Sequence, residues 1–369
     1  MPDARIPPTP ETGGPTQITT QITTEITTET PAETPAEARE TPGAAPPVLA
    51  EVVRSGFVES RHRGSLVVLG PDGSVERALG DVVSPVFPRS SNKPMQAAAM
   101  LAAGARLADE RLALASASHS GEPFHQGLVA EVLAAHGLGE EDLVCPPALP
   151  LDGATLEAQL ASGRGRTRIA MNCSGKHAGM LAACVAGGWP TAGYTDPGHP
   201  FQRLVLATVE AATGEPVAHI GVDGCGAPLL GFSLTGLARA FRGLVRAAPG
   251  SPARRVADAM RAHPEYVAGT GQPDTLLMRA VPGALSKAGA EGVQAVALPD
   301  GRAVAFKLED GSARARGPVV AAALTALGVA PAALAPLADV PVYGGSSGAS
   351  PAAGPGGGAA RVGEVRATI

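Results

Sequence analysis

A serine and a lysine lie three residues apart at Ser90 and Lys93, directly before Pro94, a residue that helices favour in their first turn. At this spacing the two side chains lie on the same side of a helix start. A neutral lysine amine there can take the serine proton, while the helix N-terminus stabilises negative charge on the attacked oxygen. The same spacing also occurs where a serine caps a helix and the lysine faces solvent. The pair alone therefore leaves both interpretations open.

Lysine is rare in this chain, which favours the catalytic interpretation. Of the 29 basic residues, four are lysine: Lys93, Lys176, Lys287 and Lys307. Arginine supplies positive charge but stays protonated, whereas a buried lysine can act as a base or as a ligand. Chance survival is the alternative explanation for each lysine. The scarcity nevertheless singles these positions out for specific chemistry.

Two more polar sites follow in chain order. Ser118 and Ser120 flank a histidine, and Lys287 stands in a Lys-Ala-Gly sequence before a predicted strand hairpin. The order Ser-x-x-Lys, a serine-containing loop and Lys-x-Gly is that of penicillin-recognising enzymes. Lys287 would place a cation beside the nucleophile, where it can bind a substrate carboxylate.

The hydrophobic pattern predicts the elements that must position these residues. Alternation predicts strands at 51–58, 65–70, 293–298, 303–308 and 361–367. Helical periodicity predicts helices at 94–108, 124–137, 153–162, 176–187, 200–213, 231–247, 252–262 and 317–327. Strands at both chain ends with helices between them indicate an α+β fold: an antiparallel sheet formed by the chain ends, flanked by helices, with an inserted helical region.

Two segments fall outside this pattern. Residues 1–46 are Thr, Pro, Glu and Ala in near-repeats, with too little apolar surface to offset the entropy of ordering, so we predict a disordered leader. Residues 344–359 are rich in Gly, Ala and Ser and predict a flexible insertion. Residues 47–369 are then expected to form a single catalytic domain.

Composition excludes several classes of protein. The net charge of -5 and the pI near 5.9 argue against nucleic acid as a partner, because phosphate binding needs a basic face. No apolar run reaches the roughly 18 residues of a membrane span, and no secretory signal is evident. Four cysteines are too few for a disulfide scaffold in a chain of 369 residues. We expect a cytoplasmic protein with no membrane partner.

Several motifs in order resemble the L-asparaginases of the Rhizobium etli type. The resemblance covers roughly residues 48 to 369. The motifs are Val53 to Gly64, Gly80-Asp81, Pro88 to Gln96, Ser118 to Glu122, Asn172 to His177, Gly221 to Pro228, Asp274 to Met278, Lys287 to Gly292 and Arg361 to Arg366. The resemblance implies the serine β-lactamase/glutaminase fold and makes Ser90 the nucleophile with Lys93 as its base.

The same resemblance assigns the other site residues. Ser120 and Lys287 would be partners in proton transfer and substrate holding, with Ser118 as the alternative to Ser120. Arg89 and Asp223 would bind substrate. A zinc ion would be held by two cysteines and a lysine, with Asp223 close by; these ligands are Cys173, Lys176 and Cys225. From the residues alone, two buried thiols or a Cys173–Cys225 disulfide remain alternatives.

The implied reaction is hydrolysis of L-asparagine to L-aspartate and ammonia through a serine acyl-enzyme, in a homodimer. A glutaminase or a penicillin-recognising hydrolase of the same fold is the nearest alternative. A zinc-binding protein without catalysis is an alternative from another class. The preference between asparagine and glutamine, the need for zinc and the oligomeric state are not fixed by the sequence.

Overall fold

Both ends of the folded chain meet in one antiparallel sheet. The computed structural model describes residues 45–344 and 360–369. Its strands are β1 Val48–Arg54, β2 Phe57–Leu69, β3 Val75–Leu79, β4 Pro85–Val86, β5 His219–Val222, β6 Pro228–Ser233, β7 Leu285–Gly289, β8 Val293–Ala297, β9 Ala303–Leu308, β10 Pro341–Gly344 and β11 Ala360–Ala367. The large sheet has the order β10-β11-β1-β2-β9-β8-β7, with β3 alongside β2. A small second sheet has the order β4-β6-β5.

The helices lie mainly between β4 and β7 in the chain. They are α1 Lys93–Ala102, α2 Asp109–Ala115, α3 Pro123–Ala134, α4 Gly153–Ala161, α5 Ser174–Ala186, α6 Pro200–Thr213, α7 Leu234–Arg246, α8 Pro252–Ala262, α9 Pro264–Val267, α10 Pro273–Ala280, α11 Arg316–Ala326 and α12 Pro331–Ala338. The α+β prediction is confirmed: an antiparallel sheet built from the chain ends, with helices inserted between its strands. Among the described residues, no helix is long and apolar enough to cross a membrane.

Strand β2 shows how the sheet divides the interior into two cores. Val67 and Leu69 belong to the apolar cluster that includes α1, α5, α7 and α8, whereas Leu66 and Val68 belong to the cluster with α11 and α12. Successive side chains of a strand point to opposite faces, so this strand is apolar on both sides. Burying each such side chain stabilises the fold by about 1.5–3 kcal/mol. The sheet is therefore held rigidly between two helical layers.

Helix α5 runs through the first core and packs unusually close to its neighbours. A Cβ at Gly175 would lie 2.6 Å from the Leu114 side chain, and one at Gly179 would lie 2.7 Å from Met100 Sδ. These distances are too short for real Cβ contacts, so any larger residue would push α5 away from α1 and α2. The close packing fixes the first half of α5, where Lys176 lies, against the last turns of α1 and α2.

Several element boundaries differ from the sequence predictions. The strand predicted at 51–58 is split by a turn at Ser55 and Gly56, whose φ angles of 49° and 82° suit a hairpin. The helix predicted to reach residue 108 ends at Ala102, because Gly104 (φ 94°) takes a conformation that a helix cannot continue. Residues 231–233, predicted as helix, complete the buried strand β6.

The predicted leader, 1–46, lies outside the described residues except for its last two. The predicted Gly-rich insertion, 344–359, lies outside them except for Gly344, which ends β10. Both predictions stay predictions. From Ala45 onward the chain forms one compact unit.

Candidate active site

Ser90 lies in a tight 3-10 turn, Arg89–Asn92, that leads directly into α1 at Lys93. Arg89 has a φ of 52°, a left-handed conformation. It costs a non-glycine residue about 1–3 kcal/mol and persists only where the surroundings enforce it. Its guanidinium donates to Asp223 Oδ1 from Nε at 3.0 Å and from Nη2 at 2.9 Å. The Ser91 hydroxyl donates to the Pro88 carbonyl at 2.7 Å. These bonds on either side of Ser90 hold it in place.

Strand β7 brings Lys287 to the same place. A Cβ at Gly289 would overlap the Pro88 carbonyl oxygen, so only glycine allows β7 to pass this close to the serine turn. Asp274, from α10, holds the strand from the other side. It accepts from the Ala288 N–H at 2.8 Å and from the Ser286 hydroxyl at 2.7 Å. The Lys-Ala-Gly sequence is therefore fixed at both its backbone and its side chains.

Lys287 is almost fully buried beside one carboxylate. Its Nζ lies 3.0 Å from the Ala288 carbonyl and 3.9 Å from Asp274 Oδ2. Burial lowers the pKa of Lys287 to about 8, although Asp274 opposes the shift. Burial also raises the pKa of Asp274, but the Lys287 charge and the hydrogen bonds outweigh it and hold that pKa below its usual range. Lys287 can thus exchange a proton near neutral pH while Asp274 stays ionised.

Lys93 makes three short contacts in the interior. Its Nζ lies 2.6 Å from the Ala117 carbonyl, 2.8 Å from Ser118 Oγ and 3.0 Å from Cys173 Sγ. An ammonium group has three N–H bonds and can donate to all three partners. A neutral amine has only two N–H bonds and one lone pair, so the Ser118 hydroxyl or the Cys173 thiol must then donate to it. No hydrogen bond joins Lys93 to Ser90 in the described part of the chain.

Ser118 and Ser120 have different surroundings, although they are two residues apart. Ser118 contacts Lys93, whereas the Ser120 hydroxyl donates to Glu122 Oε1 at 2.9 Å. Glu122 also accepts from the Thr270 N–H at 2.8 Å and from the Thr270 hydroxyl at 2.7 Å, which joins two loops. The structure therefore brings Ser118, and not the predicted Ser120, to the lysine.

One cavity of about 220 Å³ brings together two of the predicted catalytic residues, Ser90 and Lys287. Its wall includes Ser90, Ser118 and Lys287, together with Asn172, Asp274 and Arg316. The predicted substrate-binding residues Arg89 and Asp223 are not among the described residues of this wall and pair with each other instead. A wider groove between α11, α12 and β11 contains none of the predicted site residues.

The predicted metal ligands lie together behind Lys93. Lys176 Nζ lies 3.0 Å from Cys225 Sγ, and Cys225 Sγ lies 3.7 Å from Asp223 Oδ2. The Cys225 thiol donates a hydrogen bond to Cys173 Sγ, and this contact, with help from the charges of Lys93 and Lys176, holds the pKa of Cys173 well below its usual range against the effect of burial. All four cysteines are free, so the predicted disulfide alternative is absent from the structure.

These donors fit a zinc ion in one respect and constrain it in another. Two thiols and an amine converge, which suits zinc's preference for sulfur and nitrogen. Among the described residues, no group of three or more His, Cys, Asp or Glu side chains could hold a metal. A metal here would therefore need Lys176 as a ligand. Burial opposes the charge of Lys176, but the neighbouring thiols outweigh it and raise its pKa, so binding must displace a proton.

Sequence reasoning assigned no role to three residues that shape the site. Asp274 and Asn172 each begin one of the motifs of the family resemblance, but the motifs alone assign them no function. Arg316 lies in no motif, and its residue type is uninformative because arginine is common in this chain. Their roles depend on contacts with β7 and with the cavity wall, which connect segments far apart in sequence.

Two solved structures are similar to this chain. It is similar to the crystal structure of a β-lactamase from Mycobacterium bovis, with 16% identity over 68% of this chain and 88% of that one and a TM-score of 0.37. It is also similar to a putative β-lactamase from Bacteroides dorei, with 17% identity over 71% of this chain and 93% of that one and a TM-score of 0.35. At these values the likeness adds nothing to the case for an activity. A search of curated proteins found no match.

The sequence itself matches a protein family over most of its length. Residues 50–349 of the 369 match the family described as L-asparaginase II. This segment contains the serine turn, both serines of the 118–120 loop, the thiol–lysine cluster and Lys287. The family match supports an amidohydrolase. The chain belongs to the L-asparaginase II family.

Proposed function

We propose that this protein hydrolyses the side-chain amide of L-asparagine to L-aspartate and ammonia through an acyl-enzyme on Ser90. The observation that carries the proposal is the shared cavity wall of Ser90, Ser118 and Lys287, with Lys93 directly behind Ser118. A nucleophile, a hydroxyl that can relay a proton and two buried amines are the groups that amide hydrolysis requires.

In the first half-reaction, the Ser90 oxygen attacks the amide carbonyl carbon. Its proton passes through the Ser118 hydroxyl to neutral Lys93, and the N-terminus of α1 stabilises the negative charge that forms. The carbon–nitrogen bond then breaks, and a proton from Lys93 or Lys287 leaves with the nitrogen as ammonia. The product of this step is an ester between Ser90 and the aspartyl group.

In the second half-reaction, water attacks the ester. The same groups remove a proton from the water and return one to the Ser90 oxygen, which releases L-aspartate. Lys287, whose pKa lies at about 8, is suited to proton transfer in both steps because both of its forms are populated near neutral pH.

The size of the cavity supports a small substrate. Its volume of about 220 Å³ lies below the roughly 300–1,000 Å³ of pockets for drug-sized ligands. An amino acid suits this volume better than a penicillin does. This favours L-asparagine or L-glutamine over the penicillin-recognising alternative.

Zinc remains part of the proposal, with Cys173, Lys176 and Cys225 as its ligands. When bound, it would supply a structural link between the start of α5 and the loop before β6. Cys173 would then be held near Lys93, which it contacts at 3.0 Å. The homodimer and the cytoplasmic location stay predictions.

The test measures ammonia release from L-asparagine and L-glutamine, and ring opening of a penicillin by its change in absorbance, with wild type and Ser90→Ala side by side. We expect release from L-asparagine by the wild type and none by the variant, with the same thermal unfolding midpoint within a few degrees. A folded Ser90→Ala protein with full turnover would contradict the nucleophile. Opening of the penicillin alone would contradict the substrate.

A further inference from the structure

Arg316 lies on the wall of the catalytic cavity without a charged partner. It is the first residue of α11, and its Nη1 donates to the Gly289 carbonyl at 3.3 Å. Its Nε atom is buried and has no hydrogen-bond partner among the described residues. A buried donor left unpaired costs about 1–3 kcal/mol, so a hydrogen-bond acceptor at the Arg316 guanidinium would be stabilising.

The cations around the cavity differ in how far they are neutralised. Arg89 pairs with Asp223 at 2.9 Å and with Glu291 at 3.7 Å. Lys287 has Asp274 at 3.9 Å. Within the described ranges, Arg316 has no carboxylate within ion-pair distance. The end of the cavity beside β7 and α11 therefore has two cations, Lys287 and Arg316, and one carboxylate, Asp274.

We propose that Arg316 binds the α-carboxylate of the substrate, so that the site selects amides of α-amino acids over simple amides. The inference deepens the proposed function and rests on it, since the carboxylate belongs to the amide substrate whose carbonyl lies at Ser90. Arginine suits this task because its planar donors match a carboxylate in a fixed geometry. The assignment leaves Lys287 free for proton transfer.

A purely structural role for Arg316 makes a different prediction. Its bond to Gly289 also steadies β7, and losing that bond would disturb Lys287. Such a disturbance would weaken the binding of all ligands alike, whether or not they carry an α-carboxylate. If Arg316 is a carboxylate anchor, its loss weakens the binding of only those ligands that carry an α-carboxylate.

The experiment compares two ligands by isothermal titration calorimetry: L-aspartate, and β-alanine, which is L-aspartate without its α-carboxylate. The proteins are wild type, Arg316→Gln, Arg316→Lys and Arg314→Gln. Arg314 is the matched control, because it lies two residues away and contacts Ser60 and His62 at 3.5 Å instead of the cavity. Arg316→Lys keeps the charge if the glutamine variant folds poorly.

We expect wild type and Arg314→Gln to bind L-aspartate about 10- to 100-fold more tightly than β-alanine, the range of a buried charge-assisted hydrogen bond. In Arg316→Gln this ratio should fall close to one, and in Arg316→Lys it should be intermediate. An unchanged ratio in Arg316→Gln would overturn the inference, and so would a wild type that binds both ligands equally. Lack of ammonia release from L-asparagine by the wild type would instead overturn the proposed function, whatever the ratio.

Discussion

The Lys93 amine lies 2.8 Å from the Ser118 hydroxyl, although 25 residues separate them in the sequence. Lys93 starts α1, and Ser118 follows α2 in a loop whose backbone bonds to residues 172 and 267–268. The contact therefore depends on three segments packing together. It places Lys93 directly behind Ser118, which shares a cavity wall with Ser90.

Replacing the two serines of this loop one at a time should separate their roles. Ser118→Ala removes the relay to Lys93, so we expect kcat for L-asparagine to fall about 100- to 10,000-fold, the range of general acid–base catalysis. Ser120→Ala removes only the bond to Glu122 and should lower the free energy of unfolding by about 1 kcal/mol with little change in kcat. Steady-state kinetics and chemical denaturation of both variants measure this. A large fall in kcat for Ser120→Ala and little change for Ser118→Ala would assign the catalytic role to Ser120.

Lys93→Arg should be nearly as damaging as Lys93→Ala. A guanidinium keeps the charge but cannot accept a proton from Ser118, so turnover should fall at least 100-fold in both variants. Lys307→Arg serves as the control, because Lys307 is partly exposed and donates to the Glu291 carbonyl at 2.8 Å. Activity retained in Lys93→Arg would mean that the base lies elsewhere.

Gly289→Ala should reduce both stability and turnover. The added Cβ would overlap the Pro88 carbonyl and push β7, with Lys287, away from the serine turn. Such overpacking costs about 1–3 kcal/mol, and we expect kcat to fall about 10- to 100-fold. Gly243→Ala in α7 is the control, since its Cβ would meet no atom within 4 Å. A Gly289→Ala enzyme with normal kcat would show that the position of β7 is not critical.

The buried Lys287 should leave a signature in the pH dependence of stability. Its folded pKa of about 8 lies below its usual value of 10.5, so between these values the unfolded chain binds more protons. Stability therefore rises with pH in this window. The cost of burying the charge is complete below pH 8 and disappears above about pH 10.5. Lys287→Met should lack this rise.

Denaturation of wild type and Lys287→Met at several pH values between 7 and about 10.5 tests this expectation, because groups far from Lys287 titrate equally in both proteins. A constant difference between the two curves would contradict the lowered pKa. The absolute difference is less informative, since the variant also leaves Asp274 without its neighbouring cation.

Elemental analysis should find one zinc per chain in the wild type and none in Cys225→Ser. Binding should weaken steeply as the pH falls, because acid protonates both the thiols and Lys176. Cys184→Ser is the matched control: Cys184 is also fully buried, and it lies outside the predicted ligand set. Equal, negligible metal in wild type and Cys225→Ser would leave two reduced thiols and two lysines joined by hydrogen bonds.

The sequence by itself determined many of the elements and their order. Alternating apolar residues identified β8, β9 and β11, and 3.6-residue periodicity identified α5, α6 and α8, because each pattern reports which side of an element is buried. The spacing of Ser90 and Lys93, before Pro94, indicated a helix start with a candidate nucleophile. Lysine scarcity marked Lys93, Lys176 and Lys287, all of which prove to be buried at or beside the cavity.

Only the tertiary structure decided which polar side chains meet. Nothing in Ser118-His119-Ser120 distinguishes the two serines, because the backbone angles of this loop are set by its bonds to distant segments. The same is true of Cys225, which reaches Lys176 across 49 residues, and of Arg316 at the cavity wall. Local patterns encode burial, whereas the direction of a loop side chain and its partner depend on how the separate elements pack.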